Sequence, residues 1–466
     1  MVSNIITRSM AVAAALSLAA CTEKIPQDNN QPVTPPEEVT VVLPSEAVVG
    51  EPLPVWQKGW LDIHSINGGR GESFFYIFPD GTTMLVDAAG AANNEVTGDT
   101  GIDSRPGPMF SSGWVINKYL SHFLPAVSEG GLDYFMASHY HSDHIGQWRK
   151  DYNDFNWATV NSDGVRVYVH NLSNGGFMLN GVAEVGITFP IKKIIDRGPL
   201  EDRASNLYSA TSINANYHNY LNFIDWSSRA NHTVRETFKV GRNDQIVPVH
   251  DAASYPSFSI RAIAGAGNIW TGSGTSVKTD YVPSREELLE HAFSSDWDVN
   301  ENIFSLVFVL SYGAFDYFSG GDIQYSDNGK YSWKHIEAPI SKVVGKVEVM
   351  KACHHTSSDC NSSALLKALC PDVFVDGVWT KNQPNLATLQ RVFAASPDVR
   401  IFLTNLAQSR IDGLKASGIE TSRFAGVGGH VVVRVAPGGS EFWVFMVDDS
   451  NFDYCVSSIH GPFPCK

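Results

Sequence analysis

Beyond its N-terminal segment, the chain opens with short apolar runs separated by turn residues. Brief runs of β-branched and aromatic residues between Gly, Pro and Asp are typical of strands, and apolar residues three to four apart are typical of a helix. The pattern predicts strands at Leu61 to Ile66, Glu72 to Phe78, Met84 to Val86 and Leu132 to Ala137, a turn at Pro79 to Thr82, and a helix at Gly113 to Phe123. The last of these strands runs directly into a group of histidines.

The pattern then becomes less regular, from about Gly146 to Asn300, with strand-like pieces between loops rich in Asn, Ser and Gly. Regular elements return after this stretch. We predict strand-like pieces at Val165 to Val169 and Phe258 to Ala264, a hairpin at Ile303 to Leu310 and Phe315 to Ser319, a strand at Val347 to Ala352, a helix at Leu386 to Ala395, a strand at Arg400 to Thr404, and a closing hairpin at His430 to Val435 and Glu441 to Val447.

The N-terminus predicts export. Met10 to Ala20 is a run of small, mostly apolar residues preceded by Arg8. Such a run is too short to span a bilayer, which needs about 20 residues, and it suits the core of a secretory signal. The ending Leu18-Ala19-Ala20-Cys21 resembles the bacterial lipobox, in which removal of the signal leaves a lipid-modified cysteine. We therefore expect Cys21 to be lipidated, with an ordinary signal cleaved before it as the alternative.

Composition limits the function classes. The chain has 34 basic and 49 acidic residues, a formal net charge of −15, and no run of Lys or Arg. Proteins that hold duplex DNA depend on basic surfaces, so dedicated duplex nucleic-acid binding is not expected.

Two of the six cysteines, Cys455 and Cys465, flank a short segment with Gly and Pro and could pair in an oxidising compartment.

The central chemical feature is Ser138-His139-Tyr140-His141-Ser142-Asp143-His144, at the end of a predicted strand. Imidazoles and carboxylates are preferred ligands of divalent transition metals. A loop that leaves a strand can turn His139 and His141 toward one ion, and Asp143 and His144 toward another. The sequence therefore predicts a metal centre, in preference to a polar histidine-rich loop.

This block resembles the signature of the metallo-β-lactamase superfamily, and other segments of that pattern follow in order. Phe78 to Ala88 resembles the family's strand–turn–strand, Phe318 to Asp322 its Gly-Asp strand end, and Lys351 to Ser357 its last ligand segment. The resemblance implies an α/β fold, a four-layer αββα sandwich with metals at one edge.

The closest branch in these motifs is that of the ComEC-type competence proteins and their secreted relatives, including phosphorylcholine esterases. The resemblance covers about Leu61 to Ser357, with a long segment between His144 and Asp322 and with Thr356 where the family usually has Gly. No pore-forming helices are evident, so a DNA-uptake channel is excluded. The chain then divides into a signal peptide at 1–20, a flexible Pro/Glu-rich tether at 21–54, and a hydrolase domain at 55–466 with an insertion at about 146–300 and a C-terminal extension at about 360–466.

The resemblance also implies roles for single residues. Asp87 would orient a metal-bound histidine without touching the ion, and Asp322 would bridge two ions. His355 or His354 would be the last ligand, with His355 preferred. Many members supply a third histidine to the first ion from a later strand, and His170 is the candidate here, with a surface histidine as the alternative.

The chemistry implied is hydrolysis by a water activated between two divalent cations, zinc in preference to manganese. Asp143 would hold one ion and accept the proton of the nucleophile. His354 or His355 would stabilise the oxyanion.

Three functions share such a site. The preferred one is hydrolysis of a phosphodiester or phosphoester, a small molecule or one linked to the envelope. The alternatives are a β-lactamase or lactonase, and a non-catalytic envelope binding lipoprotein. In each case we expect a lipid-anchored protein of the bacterial cell envelope, in the periplasm or on the outer surface.

Overall fold

The computed structural model describes residues 46–91, 101–147, 158–160, 166–168, 176–198, 211–279, 281–283, 301–326 and 333–466. The predicted signal peptide, Cys21, His170 and most of the predicted tether lie outside the described residues. At the end of that tether, Leu53 is buried and Pro52 pairs with Cys455 in an isolated bridge. Among the described residues, no helix is long and apolar enough to cross a membrane.

The described strands form two large mixed sheets and one small hairpin. In chain order they are β1 Leu61–Ser65, β2 Phe74–Ile77, β3 Thr83–Val86, β4 Leu132–Met136, β5 Ala158–Val160, β6 Arg166–Tyr168, β7 Ile191–Asp196, β8 Val234–Thr237, β9 Phe258–Gly265, β10 Asn268–Trp270, β11 Val277–Lys278, β12 Val307–Tyr312, β13 Phe315–Ser319, β14 Val349–Lys351, β15 Val373–Asp376, β16 Arg400–Leu403, β17 Phe424–Val427, β18 His430–Val435, β19 Glu441–Val447 and β20 Val456–Pro464. The first large sheet has the order β20-β19-β18-β1-β2-β3-β4-β7-β8, and the second has the order β11-β10-β9-β12-β13-β14-β15-β16-β17. Strands β5 and β6 pair with each other.

Helices cover the outer faces of both sheets. They are α1 Ser112–Phe123, α2 Ser142–Ile145, α3 Val182–Thr188, α4 Thr211–Asn231, α5 Glu337–Ile340, α6 Ser363–Leu369, α7 Leu386–Ala395 and α8 Gln408–Ala416. One apolar cluster joins α1, α3 and α4 to the first sheet, and another joins α5 to α8 to the second. The short α2 belongs to the histidine-rich loop.

A third cluster fills the space between the sheets and explains their packing. Along β2, Phe74 and Tyr76 enter this inner cluster, whereas Phe75 and Ile77 enter the outer one beneath the helices. This alternation follows from the two-residue period of a strand, and a strand buried on both faces is apolar throughout. The layers are therefore helix, sheet, sheet, helix, which confirms the predicted four-layer αββα sandwich.

The stretch expected to be irregular contains more regular structure than its sequence indicated. It holds the 21-residue helix α4 and strands β7 and β8, which extend the first sheet beyond β4. The sequence did not predict helix α4, because its mixture of polar and aromatic residues gives only a weak helical periodicity of apolar positions. Likewise, the hairpin predicted from Ile303 begins at Val307, because Glu301–Phe304 forms a 3-10 turn.

The two C-terminal cysteines that could have paired are both free. The residues between them form β20, and a strand of that length separates its ends by about 30 Å at 3.3 Å per residue. Cys455 and Cys465 therefore lie too far apart for a disulfide, which joins Cα atoms only about 4.4–6.8 Å apart.

Helix α3 buries a carboxyl group against the N-terminus of α1. The hydroxyl of Ser111, the N-cap of α1, lies 2.8 and 2.7 Å from the two carboxylate oxygens of Glu184. Burial raises the pKa of Glu184 to about 8, against the lowering effect of the Ser111 hydrogen bond. The folded state therefore binds this proton more tightly than the unfolded state, so stability is full below pH 4.5 and falls as pH rises toward 8.

Glu184→Gln should remove this pH-dependent loss, because a neutral amide has no charge to bury. We expect the Tm of the variant to rise relative to wild type between pH 5 and about pH 9. Thermal unfolding across this range, with the exposed Glu129→Gln as control, measures the effect. A constant difference in Tm at every pH would contradict it.

Candidate metal centre

The histidine-rich loop begins where β4 ends. Every residue of β4 is buried, and the chain then turns so that α2 starts at Ser142. His139 and His141 therefore precede the helix, whereas Asp143 and His144 lie in its single turn. The change of direction therefore falls between the two pairs of side chains.

Asp87, directly after β3, holds this loop in place. Its carboxylate accepts hydrogen bonds from the main-chain NH and the hydroxyl of Ser138, at 2.7 and 2.6 Å. The same carboxylate lies 2.8 Å from His144 Nδ1. With Nδ1 engaged in this way, His144 directs Nε2 toward the centre, which is the arrangement expected of a carboxylate that orients a metal ligand.

The second sheet contributes Asp322 and His355 from the ends of two neighbouring parallel strands, β13 and β14. The chain after β14 is unusual, because His354, His355 and Thr356 have φ of 47°, 48° and 53°. Left-handed backbone costs a residue with a Cβ roughly 1–2 kcal/mol. Strain of this kind concentrates at functional sites, where the surrounding structure holds it.

Two imidazole nitrogens and two carboxylate oxygens lie close together at the centre. His144 Nε2 lies 3.1 Å from Asp322 Oδ2 and 3.7 Å from Asp143 Oδ2. His355 Nε2 lies 3.2 Å from each of the same two oxygens. Atoms held about 2.0–2.2 Å from a tetrahedral ion are separated by roughly 3.3–3.6 Å. The four nitrogen–oxygen separations are therefore close to those between ligands of one small divalent ion.

A second group adjoins the first through Asp322. His139 Nε2 lies 2.9 Å from His141 Nδ1 and 3.9 Å from Asp322 Oδ2. Asp322 thus faces both groups of side chains. The further ligand predicted for this side, His170, lies outside the described residues.

The charges of these side chains fit cations. Asp87, Asp143 and Asp322 are all at least 87% buried, and their neighbours at the centre are histidines. Burying charge without compensation is costly, and neutral imidazoles do not balance carboxylates. Within the described residues, Asp322 Oδ1 has no hydrogen-bond partner. Divalent ions would meet both requirements.

The protonation states show the same imbalance. Burial lowers the pKa of His139 well below its usual value, which keeps the ring neutral as a ligand must be. For His144 and His355, burial also acts to lower the pKa, but Asp322 and the neighbouring carboxylates raise it well above the usual value. The carboxylates thus favour positive charge at both rings, and a bound cation would supply such charge while the rings remain neutral.

One member of the cluster was missed by the sequence analysis. Glu72, His144, Asp322 and His355 are buried, each offers a ligand atom, and these atoms lie within 4.8 Å of one another, so the group could hold a metal ion. Glu72 precedes β2 and belongs to none of the motifs. In the sequence, the feature beside Glu72 that could have drawn attention to it is the preceding glycine, Gly71. In the structure, the backbone at Gly71 passes so close to the histidine-rich loop that a Cβ there would lie 2.1 Å from the Asp143 carbonyl oxygen.

His354 lies beside the centre and has a different environment from His355. Its Nδ1 is 2.8 Å from Asp359 Oδ1, its Nε2 is 3.2 Å from Asn302 Nδ2, and 22% of its side chain is exposed. Burial acts to lower the pKa of His354, but Asp359 and Asp322 raise it. His355, rather than His354, therefore points at Asp143 and Asp322. An interaction of His354 with a substrate would have to replace one of its present contacts.

No family model matches the chain, and no curated protein matches it. Among solved structures, it is similar to the metallo-β-lactamase fold protein YhfI from Bacillus subtilis, with 12% identity, 75% of this chain and 97% of that chain covered, and a TM-score of 0.32. It is also similar to a candidate metal-dependent hydrolase from Parabacteroides distasonis, with 11% identity, 73% and 92% coverage, and a TM-score of 0.28.

Asp322→Ala should remove the carboxylate that faces both groups of ligands. We expect wild type to bind about two divalent ions per chain and the variant to bind fewer than about one, with the fold retained. His141→Ala should lose metal from one side, and His218→Ala, on the exposed face of α4, should lose none. Metal analysis after dialysis, with circular dichroism, measures both properties. Equal metal content in wild type and Asp322→Ala would overturn the assignment.

Proposed function

We propose that this protein is a metal-dependent hydrolase whose centre holds two divalent ions, zinc in preference to manganese. The observation that carries the proposal is the close approach of two imidazole nitrogens, of His144 and His355, to carboxylate oxygens of Asp143 and Asp322. The four nitrogen–oxygen distances are 3.1–3.7 Å, close to the separation of ligand atoms around one tetrahedral ion. His139 and His141 adjoin this set through Asp322, which supports a second ion. Mixed nitrogen and carboxylate ligands suit zinc.

Bound divalent ions supply Lewis-acid polarisation and make hydroxide available near neutral pH. Among the protein groups, Asp143 is the best placed to accept a proton from the nucleophile. Its side chain is 13% exposed, whereas those of Asp87 and Asp322 are 1% exposed. Asp143 can therefore be reached from solvent while Asp87 and Asp322 remain enclosed.

Asp87 and the main chain around it keep the reacting groups in position. Ala88 donates to the carbonyl oxygen of His144 at 2.8 Å, and Asp87 itself donates to the carbonyl oxygen of Met136 at 3.0 Å. Catalysis depends on such fixed geometry, because groups already oriented need little reorganisation in the transition state. Asp87 would thus assist the reaction by holding the ligand loop in position, without contacting the substrate itself.

For the substrate, we propose a phosphodiester or phosphoester, either a small molecule or one linked to the envelope. A phosphodiester develops negative charge on several oxygens in the transition state, and such charge is stabilised at a dicationic centre. The ring of His354 lies 6.0 Å from that of His355, close enough to the centre to contact one of those oxygens. The net charge of −15 argues against long nucleic acid as the natural target.

The substrate proposal is tested by comparing kcat/KM for bis-p-nitrophenyl phosphate and nitrocefin on one zinc-loaded preparation. We expect the phosphodiester to be preferred, and metal removal to abolish both activities. A β-lactam preference of tenfold or more, about 1.4 kcal/mol of transition-state stabilisation, would replace the proposal with a β-lactamase or lactonase. Metal binding without turnover of these substrates or an acyl-lactone would favour a non-catalytic binding protein.

We also propose that the protein is held in the bacterial cell envelope by a lipid on Cys21. The support is the apolar run that ends in Leu18-Ala19-Ala20-Cys21. Cys21→Ser should shift the protein from the membrane fraction to the soluble fraction when expressed with its own signal. Cys370→Ser, at an exposed cysteine of the folded domain, should leave the distribution unchanged. A Cys21→Ser variant that stays as membrane-bound as wild type would refute lipidation.

A further inference from the structure

A buried ion pair lies directly behind the candidate metal centre. Lys351 Nζ is 2.6 Å from Glu72 Oε2, and the two side chains are 1% and 0% exposed. Glu72 comes from the first sheet, just before β2, and Lys351 is the last residue of β14 in the second sheet. The pair therefore links the two sheets at the edge where the ligands meet. A buried ion pair often contributes little net stability to a fold. The position of this pair, next to the candidate ligands, is therefore a better guide to its role than its effect on stability.

The second oxygen of Glu72 faces His355. Oε1 lies 3.1 Å from His355 Nδ1, which also donates to the Gly377 carbonyl oxygen at 3.2 Å. A metal-ligating histidine usually directs its other ring nitrogen to a carboxylate or a carbonyl, which fixes the ring and raises its basicity. His355 has both partners on this side, and its Nε2 faces Asp143 and Asp322.

The main chain of Glu72 holds a second ligand segment. Its NH donates to the carbonyl oxygen of Asp143 at 3.0 Å, and its carbonyl accepts from Ala89 at 2.8 Å. Lys351 holds a third segment, because its ammonium donates at 3.2 Å to the carbonyl of Gly321, the residue before Asp322. One buried pair thus contacts the segments that carry Asp143, Asp322 and His355.

The chain makes room for this arrangement. A Cβ at Gly377 would lie 2.9 Å from both Cγ and Oε1 of Glu72, so a side chain there would displace the carboxylate. Gly377 follows β15, the strand next to β14. The glycine lets the backbone approach the carboxylate and so places its carbonyl beside His355.

We propose that Glu72 is a positioning residue of the metal centre, which aligns His355 for its ion, and that Lys351 holds the Glu72 carboxylate in place. This inference rests on the proposed metal binding. Glu72 is assigned this role rather than that of a ligand because one oxygen pairs with Lys351 and the other faces Nδ1, the ring nitrogen turned away from Asp143 and Asp322.

The experiment distinguishes two roles for Glu72: aligning His355 for its ion, and only neutralising the charge of Lys351. Full-length Glu72→Gln, Lys351→Met and the double variant are compared for Tm and for Zn²⁺ affinity, measured by competition with a chromogenic chelator. Glu72→Gln should weaken one of the two zinc sites about 10–100-fold. Lys351→Met should lower Tm, because it leaves a buried carboxylate unpaired. The double variant should recover Tm but not zinc affinity.

Asp62→Asn is the matched control, because Asp62 and Arg434 also form a fully buried ion pair, between β1 and β18, outside the metal cluster. It should lower Tm and leave zinc affinity unchanged. Recovery of both properties in the double variant would overturn the proposal, as would unchanged affinity in Glu72→Gln. Loss of a whole ion in Glu72→Gln, as in Asp322→Ala, would make Glu72 a ligand and also overturn it. Failure of wild type to bind zinc would instead refute the proposed function.

Discussion

The concentration of buried carboxylates at one edge of the sandwich is the constraint on which the rest of the site depends. Asp87, Asp143, Asp322 and Glu72 lie within a few ångströms of three imidazoles, and all are at least 87% buried. Ionised groups enter a protein interior only when they are compensated. Lys351 compensates Glu72, and the others face histidines. Binding of an ion at this centre would therefore be coupled to the stability of this edge, because a ligand that binds only the folded state stabilises it.

The sandwich supplies such a centre because strands of both sheets end there. In parallel strands the carboxyl ends meet at one edge, where ligand sites of α/β sheets commonly lie. Strands β3 and β4 bring Asp87 and the histidine-rich loop together, and β13 and β14 do the same for Asp322 and His355. Glu72, which lies just before β2 in the first sheet, pairs with Lys351 of β14 in the second sheet. Rigid strands thus fix residues that are far apart in the sequence.

The sequence predicted the parts of this arrangement that have a local pattern. The apolar runs identified the inner strands, and the dense spacing from His139 to His144 predicted the loop that lies at the candidate metal centre. Glu72 and Lys351 could not be predicted as partners, since each is a single charged residue and their contact depends on how two sheets pack. Helix α4 was missed for a related reason. Its burial is decided by tertiary contacts of Tyr220 and Phe223, and its own periodicity is weak.

Under the proposed function, His354 is the residue beside the centre at which substrate preference could change. It shares the left-handed turn with His355, yet the two rings face different partners. His355 is enclosed by Glu72, Asp143, Asp322 and the Gly377 carbonyl oxygen, which would hold its ring in the orientation that the proposed ion requires. His354 is partly exposed and held by Asp359 and Asn302, which are polar groups that a substrate oxygen could replace. Under the proposed function, changes at His354 would alter substrate preference more than ion binding, because its contacts are with Asp359 and Asn302 and not with Asp143 or Asp322.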